Sequence, residues 1–143
     1  MKPAERRRAR QFAVQAVYQW QITKLNVGQI IDQFTVDQDL SKTDVPYFKE
    51  LLAGVVNKTE SLDEKLAPYL SRKIEDVDMV DKAVLRIAMF ELTYRTDVPH
   101  KVVLNEAIEL AKDFATDESY KFVNGVLDKA LRSLKLREDI KDK

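Results

Sequence analysis

The chain has 143 residues with 24 basic and 24 acidic side chains, no cysteine and one histidine. This length suits a single domain with a buried core, and the lack of cysteine excludes disulfides, thiolate metal sites and cysteine nucleophiles. No apolar run approaches the roughly 20 residues that span a bilayer, and the N-terminus lacks the apolar segment of a secretory signal. We therefore expect a globular, cytoplasmic protein without a membrane segment.

Apolar residues recur with helical spacing along nearly the whole chain, and only three glycines and four prolines interrupt it. The pattern predicts an all-α fold of about seven helices. The expected ranges are 3–24, 29–37, 45–56, 61–70, 77–95, 102–115 and 119–134. Residues 1–134 should form a single helical domain, followed by a charged C-terminal tail at 135–143.

Three of these helices carry clear local signals. The first has a buried stripe made of Ala9, Ala13, Ala16, Val17 and Trp20. The third begins after Asp44, an expected N-cap, with Pro46 in its first turn. The fifth is apolar almost all round, apart from a narrow polar strip of Lys82, Arg86 and Thr93. We predict that this fifth helix is central and buried on most sides.

The N-terminus concentrates positive charge in a chain that is neutral overall. Its first ten residues contain a single acid, Glu5, against five basic residues, Lys2, Arg6, Arg7, Arg8 and Arg10. Arginine forks suit bidentate contact with phosphate, and neutralising phosphates releases counterions, so nucleic acid is the favoured partner. A solvated N-terminus with incidental charge and an Arg-rich transit peptide are the alternatives.

Helical phase relates these cations to an aromatic residue. Arg7 and Tyr18 are about three turns apart, so they share nearly the same face, with Arg10 and Val14 between them. A basic end that leads into an aromatic side chain is typical of single-stranded RNA binding. Because successive residues are 100° apart, we expect Arg8 to point away from the phosphate track of Arg7.

Acidic residues gather just before the fifth helix, at Glu75, Asp76, Asp78 and Asp81. Acids at a helix N-terminus interact favourably with the helix dipole, which explains the cluster without any partner. The same cluster could form a surface for a basic protein. Both interpretations stay open.

Catalytic chemistry has little support in the sequence. The single histidine, His100, follows Pro99 at a helix start, where a surface or capping role is expected. The acidic residues Glu106, Glu109 and Asp113 share one helix face, and we interpret them as a solvated face rather than a metal site. No phosphate-binding loop or nucleophile motif occurs, so we predict a protein that is not an enzyme and that needs no cofactor or metal.

Five segments in order carry a family resemblance: RRRARQFAVQAVYQWQ, YFKELLAGV, DKAVLRIAMFEL, VPHKVVLNEAIELAKDF and KFVNGVLDKA. Together they resemble the NusB family of bacterial transcription antitermination factors, over residues 2 to about 131. The resemblance implies two small helical subdomains, the N-terminal one being a three-helix unit.

The resemblance also implies a function. Family members bind single-stranded boxA-type leader RNA of ribosomal RNA operons together with the ribosomal protein NusE. With other Nus factors they nucleate an antitermination complex on RNA polymerase. The alternatives are an RNA-binding ribosome-assembly module, a non-catalytic regulatory domain related to ribosomal RNA methyltransferases, and a plain helical interaction protein.

The family's contact positions can be transferred to this chain one residue at a time. The RNA contacts that the resemblance implies are Lys2, Arg6, Arg7, Arg10, Lys121 and Phe122. The NusE contacts that it implies are Tyr18, Ile22, Glu75 and Asp81. For Phe122, packing beside the core and stacking on a base are both open. For Tyr18, we favour protein contact over base stacking.

Overall fold

The computed structural model describes the backbone of residues 2–141 and the side chains of residues 2–134. Within that part the chain forms seven α-helices, two short 3-10 turns and no strand. The α-helices are α1 (Pro3–Thr23), α2 (Val27–Asp37), α3 (Val45–Asn57), α4 (Thr59–Leu66), α5 (Met79–Tyr94), α6 (His100–Phe114) and α7 (Asp117–Lys141). The 3-10 turns are Ala67–Tyr69 and Ile74–Asp76. The prediction of an all-α fold with seven helices is confirmed.

The helix boundaries follow local capping signals. The Asn26 side chain and the Gln29 side chain form a capping box, so α2 begins two residues earlier than expected. Asp44 caps α3 as predicted, accepting a hydrogen bond from the Tyr47 N–H at 3.1 Å. The backbone of α7 continues to Lys141, beyond the predicted end at residue 134. The side chains of the predicted tail, 135–143, lie outside the described residues.

The helices pack around α5. Helices α1, α2 and α3 contact one another as the expected N-terminal three-helix unit, and α5 contacts α4, α6 and α7. Helix α1 also packs on α5 and α6, so a single core runs through both groups. No helix among the described residues is both long and apolar enough to cross a membrane.

Helix α5 is buried without interruption from Asp81 to Leu92, which confirms its central position. Its expected polar strip is not exposed, because Lys82 and Arg86 are each 7% exposed. Arg86 donates through Nε and Nη2 to the two carboxylate oxygens of Asp63, each at 2.9 Å, and through Nη1 to Gln21 at 3.0 Å. Arg86 therefore faces α4 and α1 rather than solvent, whereas Thr93 is half-buried.

Two glycines provide a matched test of this packing. A Cβ added at Gly54 would overlap the ring of Phe90, whereas a Cβ at Gly125 would meet nothing within 4 Å. We expect Gly54→Ala to destabilise the fold by about 1–3 kcal/mol, because the core must shift to admit the methyl group. Gly125→Ala, inside α7, should instead stabilise it by roughly 0.5–1 kcal/mol. Urea unfolding of both variants measures the difference, and equal stabilities would contradict the α3–α5 contact.

Candidate nucleic-acid and protein interface

A shallow cleft lies where the start of α1 meets α6. Pro3, Ala4, Arg7, Arg8, Gln11 and Glu106 line it. Arg7 donates through Nε and Nη2 to the two carboxylate oxygens of Glu106, both at 3.0 Å. The hydrogen bonds and charge of Glu106 raise the pKa of Arg7. The Arg7 side chain is still 56% exposed, so the guanidinium stays accessible to an anion.

Arg8 borders the same cleft as Arg7, but the two guanidiniums have different partners, Glu106 for Arg7 and the Phe12 ring for Arg8. Its guanidinium carbon lies 5.1 Å from the centre of the Phe12 ring. No carboxylate among the described side chains lies within 4.0 Å of it. Packing on Phe12 thus holds Arg8 exposed without neutralising its charge. Lys2, just before α1, is exposed as well.

Arg10 does not lie on this surface. It is 3% exposed, and its Nε and Nη2 donate to the carboxylate oxygens of Glu91 at 3.0 and 2.8 Å. The Tyr47 hydroxyl donates to the same carboxylate. Burial alone would lower the pKa of Arg10, but the hydrogen bonds and charge of Glu91 outweigh burial and raise it. The expectation that Arg10 faces RNA is therefore wrong, because its partner is a buried carboxylate of α5.

Arg6 occupies an intermediate position. Its side chain is 25% exposed, with Nε 3.7 Å from Asp44 and Nη1 4.0 Å from Asp97. Its guanidinium lies 4.5 Å from the centre of the Tyr47 ring. Those contacts hold Arg6 against the α3 N-terminus, so only part of its positive charge reaches the surface.

Tyr47 organises these arginines, and sequence reasoning missed it. The guanidiniums of Arg6, Arg10 and Arg95 all lie within 5.5 Å of its ring centre. Burial, together with the neighbouring Glu91 carboxylate, raises the pKa of the Tyr47 hydroxyl. The signal in the sequence was Glu91 itself, because a carboxylate inside an otherwise apolar helix needs a buried partner.

The second expected RNA surface lies near the start of α7. Lys121 is exposed and Phe122 is half-buried. The guanidinium carbon of Arg72 lies 4.7 Å from the centre of the Phe122 ring. The Phe122 ring is therefore covered partly by the core and partly by an arginine that the sequence did not single out.

Tyr18 and Ile22 are exposed, at 39% and 54%, and they line an open groove of about 690 Å³. The groove walls come from α1, α2, α5 and α6: Val14, Gln15, Tyr18, Gln19, Ile22, Thr23, Gln33, Phe34, Asp37, Gln38, Val80 and Phe114. Val14 is 2% exposed and forms the floor, so the predicted strip from Arg7 to Tyr18 is interrupted by two buried residues, Arg10 and Val14.

The acidic cluster divides into exposed and buried members. Glu75, Asp76 and Asp78 are exposed, and Asp78 caps α5 by accepting from the Val80 N–H at 2.9 Å. Asp81 is only 6% exposed, and its Oδ1 is buried without a hydrogen bond. Burial raises the pKa of Asp81, against the opposing effects of the Ser119 hydroxyl and the Arg72 charge. The expectation that Asp81 lies on a protein-binding surface is wrong.

The described part of the chain offers no cluster of metal-ligating side chains. No group of three or more His, Cys, Asp or Glu side chains there is placed to hold a metal ion. His100 is the first residue of α6, and Glu106 of the predicted acidic stripe is paired with Arg7.

The sequence matches the model of the NusB family over residues 7–132. The chain belongs to the NusB family. The transcription antitermination protein NusB of Psychromonas ingrahamii is 86% identical over 139 residues, 97% of this chain and 96% of the relative. The NusB of Tolumonas auensis is 59% identical over 138 residues, 96% of this chain and 100% of the relative. As a member of this family, the chain is a transcription antitermination factor rather than an enzyme.

Solved NusB structures share the fold. NusB of T. maritima, at 30% identity, superposes with a TM-score of 0.79 over 92% of this chain and 93% of that one. A crystal structure of the antitermination factors NusB and NusE in complex with dsRNA matches with a TM-score of 0.78 and 24% identity, over 92% of this chain and 99% of that one. The seven-helix arrangement is thus the NusB-family arrangement.

The buried position of Arg10 can be tested by unfolding. We expect Arg10→Met to destabilise the protein by about 3–5 kcal/mol, because it leaves the Glu91 carboxylate buried without its cation. Arg8→Gln removes a positive charge two residues away at the surface and should change stability by no more than about 0.5 kcal/mol.

The double variant Arg10→Met/Glu91→Leu should recover part of the loss, since both buried charges are then gone. Urea unfolding followed by circular dichroism measures all three proteins. Equal stabilities of Arg10→Met and Arg8→Gln would show that Arg10 is not in the core.

Proposed function

We propose that this chain binds single-stranded boxA-type RNA of ribosomal RNA operons together with the ribosomal protein NusE. In this proposal the pair joins RNA polymerase and other Nus factors in an antitermination complex in the cytoplasm. The observation that carries the proposal is the cationic cleft at the start of α1, where Arg7 and Arg8 are exposed in a chain that is neutral overall. The names of its relatives, antitermination proteins, support the same function.

The cleft has the chemistry that a phosphate backbone requires. Arg8 has no carboxylate within 4.0 Å among the described side chains. Its planar guanidinium can therefore donate two hydrogen bonds to a phosphate without first leaving an ion pair. Arg7 is paired with Glu106, but its own side chain is 56% exposed, so the guanidinium can also contact a phosphate. Lys2 adds a further exposed charge beside the cleft.

The groove beside Tyr18 and Ile22 is the proposed NusE site. It is open and largely apolar, and it presents two exposed hydrophobic side chains four residues apart on one helix face. Asp37 lines it, and ribosomal proteins are typically basic. We keep Glu75 as an exposed acidic contact for that partner.

Charge removal in the cleft should weaken RNA binding without unfolding the protein. We expect Arg7→Gln/Arg8→Gln to reduce affinity for a single-stranded boxA RNA, because two phosphate contacts are lost. The slope of log Kd against log salt should fall by about 0.7 per lost contact. Fluorescence anisotropy at several salt concentrations measures both quantities.

The matched control is Arg132→Gln, which removes an exposed positive charge on α7 that is paired with Asp128. Its affinity and salt slope should equal those of the wild type. A duplex of the same RNA separates single-strand from double-strand binding. Wild-type affinity of the cleft variant would overturn the RNA surface proposed here.

A substitution in the groove should weaken binding of NusE and leave binding of RNA unchanged. Tyr18→Asp should weaken NusE binding about tenfold or more, since it puts a charge into an apolar contact that binding desolvates. RNA binding by the isolated chain should stay unchanged. Val36→Ser is the control, because Val36 is 83% exposed on α2 and does not line the groove. Calorimetric titration with purified NusE measures both variants, and equal losses would show that the groove is not the site.

A further inference from the structure

Two arginines share an unusual environment in this molecule. Among the described side chains, Arg8 and Arg72 have no carboxylate within 4.0 Å, whereas the other arginines are ion-paired. Each lies over a phenylalanine ring instead, Arg8 at 5.1 Å from Phe12 and Arg72 at 4.7 Å from Phe122. Arg8 belongs to the proposed RNA cleft, and the same arrangement recurs at Phe122.

Arg72 lies in the short connection between the two 3-10 turns, where residues 71–73 are all exposed. Its guanidinium carbon lies 4.7 Å from the centre of the Phe122 ring, and the residue as a whole is exposed. Without a carboxylate, nothing among the described side chains competes for its N–H groups. A guanidinium held this way over a ring is a preformed stacking surface with a full positive charge.

The position of Arg72 changes what Phe122 can do. Phe122 is half-buried and carries Arg72 on its ring, so its aromatic face is already occupied. A base that approaches this point meets the guanidinium first. Stacking of unpaired bases on arginine planes as well as on aromatic rings is a common mode of single-stranded RNA recognition.

We propose that Arg72 is an RNA contact, supported from below by Phe122, that takes an unpaired base on its outer face. This inference rests on the proposed RNA-binding function and assigns the residue that makes the second contact. In this arrangement Phe122 is a positioning residue, because it holds the guanidinium flat and does not need to touch RNA. Exposed Lys121 beside it adds charge for the neighbouring phosphate.

The charge of Arg72 also acts on the buried Asp81 carboxylate. The Asp81 carboxylate is buried at the start of α5, with Oδ1 lacking a hydrogen bond. Arg72 is close enough to lower the pKa of that carboxylate against the effect of burial.

The test uses the full chain and a fluorescein-labelled single-stranded RNA that carries a boxA element. Arg72→Gln should weaken binding about five- to tenfold, the loss expected when one stacked base is released. Arg72→Lys keeps the charge but loses the planar group, so it should retain the wild-type salt slope and still lose most of that affinity. Phe122→Leu should weaken binding to a similar extent.

Two controls separate stacking from charge and from folding. Lys73→Gln removes an adjacent exposed cation and should change affinity by less than about twofold, since a lysine offers no plane for a base. The double variant Arg72→Gln/Phe122→Leu should bind no worse than Arg72→Gln, because Phe122 acts through Arg72. Circular dichroism melting checks that each variant is folded.

The outcomes distinguish this inference from the function on which it rests. If the wild type binds RNA and Arg7→Gln/Arg8→Gln weakens binding, while both Arg72 variants bind normally, the stacking role of Arg72 is overturned alone. Equal losses of RNA affinity for Arg72→Gln and Lys73→Gln would also overturn the stacking role of Arg72. They would show that both residues contribute only through their positive charge. Absence of RNA binding by the folded wild type would overturn the proposed function and this inference together.

Discussion

The ion pair between Arg10 and Glu91 fixes the position of α1 on α5. Both side chains are almost fully buried, and the fork of Arg10 meets the carboxylate through two hydrogen bonds. Removing two charges from water is expensive, so such a pair is stable only with good geometry and further hydrogen bonds. The Tyr47 hydroxyl supplies one of these from α3. This hydrogen-bond network therefore joins α1, α3 and α5.

The resulting orientation of α1 decides which of the N-terminal cations reach the surface. With Arg10 turned into the core, Arg7 and Arg8 emerge at the cleft beside α6, and Arg6 lies along Tyr47. Of the four N-terminal arginines, Arg10 is therefore buried and Arg6 is partly exposed. Arg7 and Arg8 are exposed to solvent. Arg10, although buried, thereby orients the exposed arginines of the proposed RNA surface.

Much of the fold could be predicted from the sequence, because helix periodicity and caps are local. The spacing indicated seven helices, and Asp44 marked the start of α3. The burial of Arg10 and Asp81 could not be predicted in this way. Helical phase shows which residues share a face, but the element that covers that face comes from far along the chain. Glu91 lies 81 positions after Arg10, so no local pattern connects them.

The same separation would let one small chain bind the two proposed partners at different places. Helix α6 contacts both α1 and α7, and it supplies Glu106 to the cationic cleft and Phe114 to the apolar groove. A ligand that displaces Glu106 from Arg7, or one that fills the groove against Phe114, therefore acts on the same helix. If either ligand stabilises the α6 position that the other prefers, the coupling must be equal in both directions.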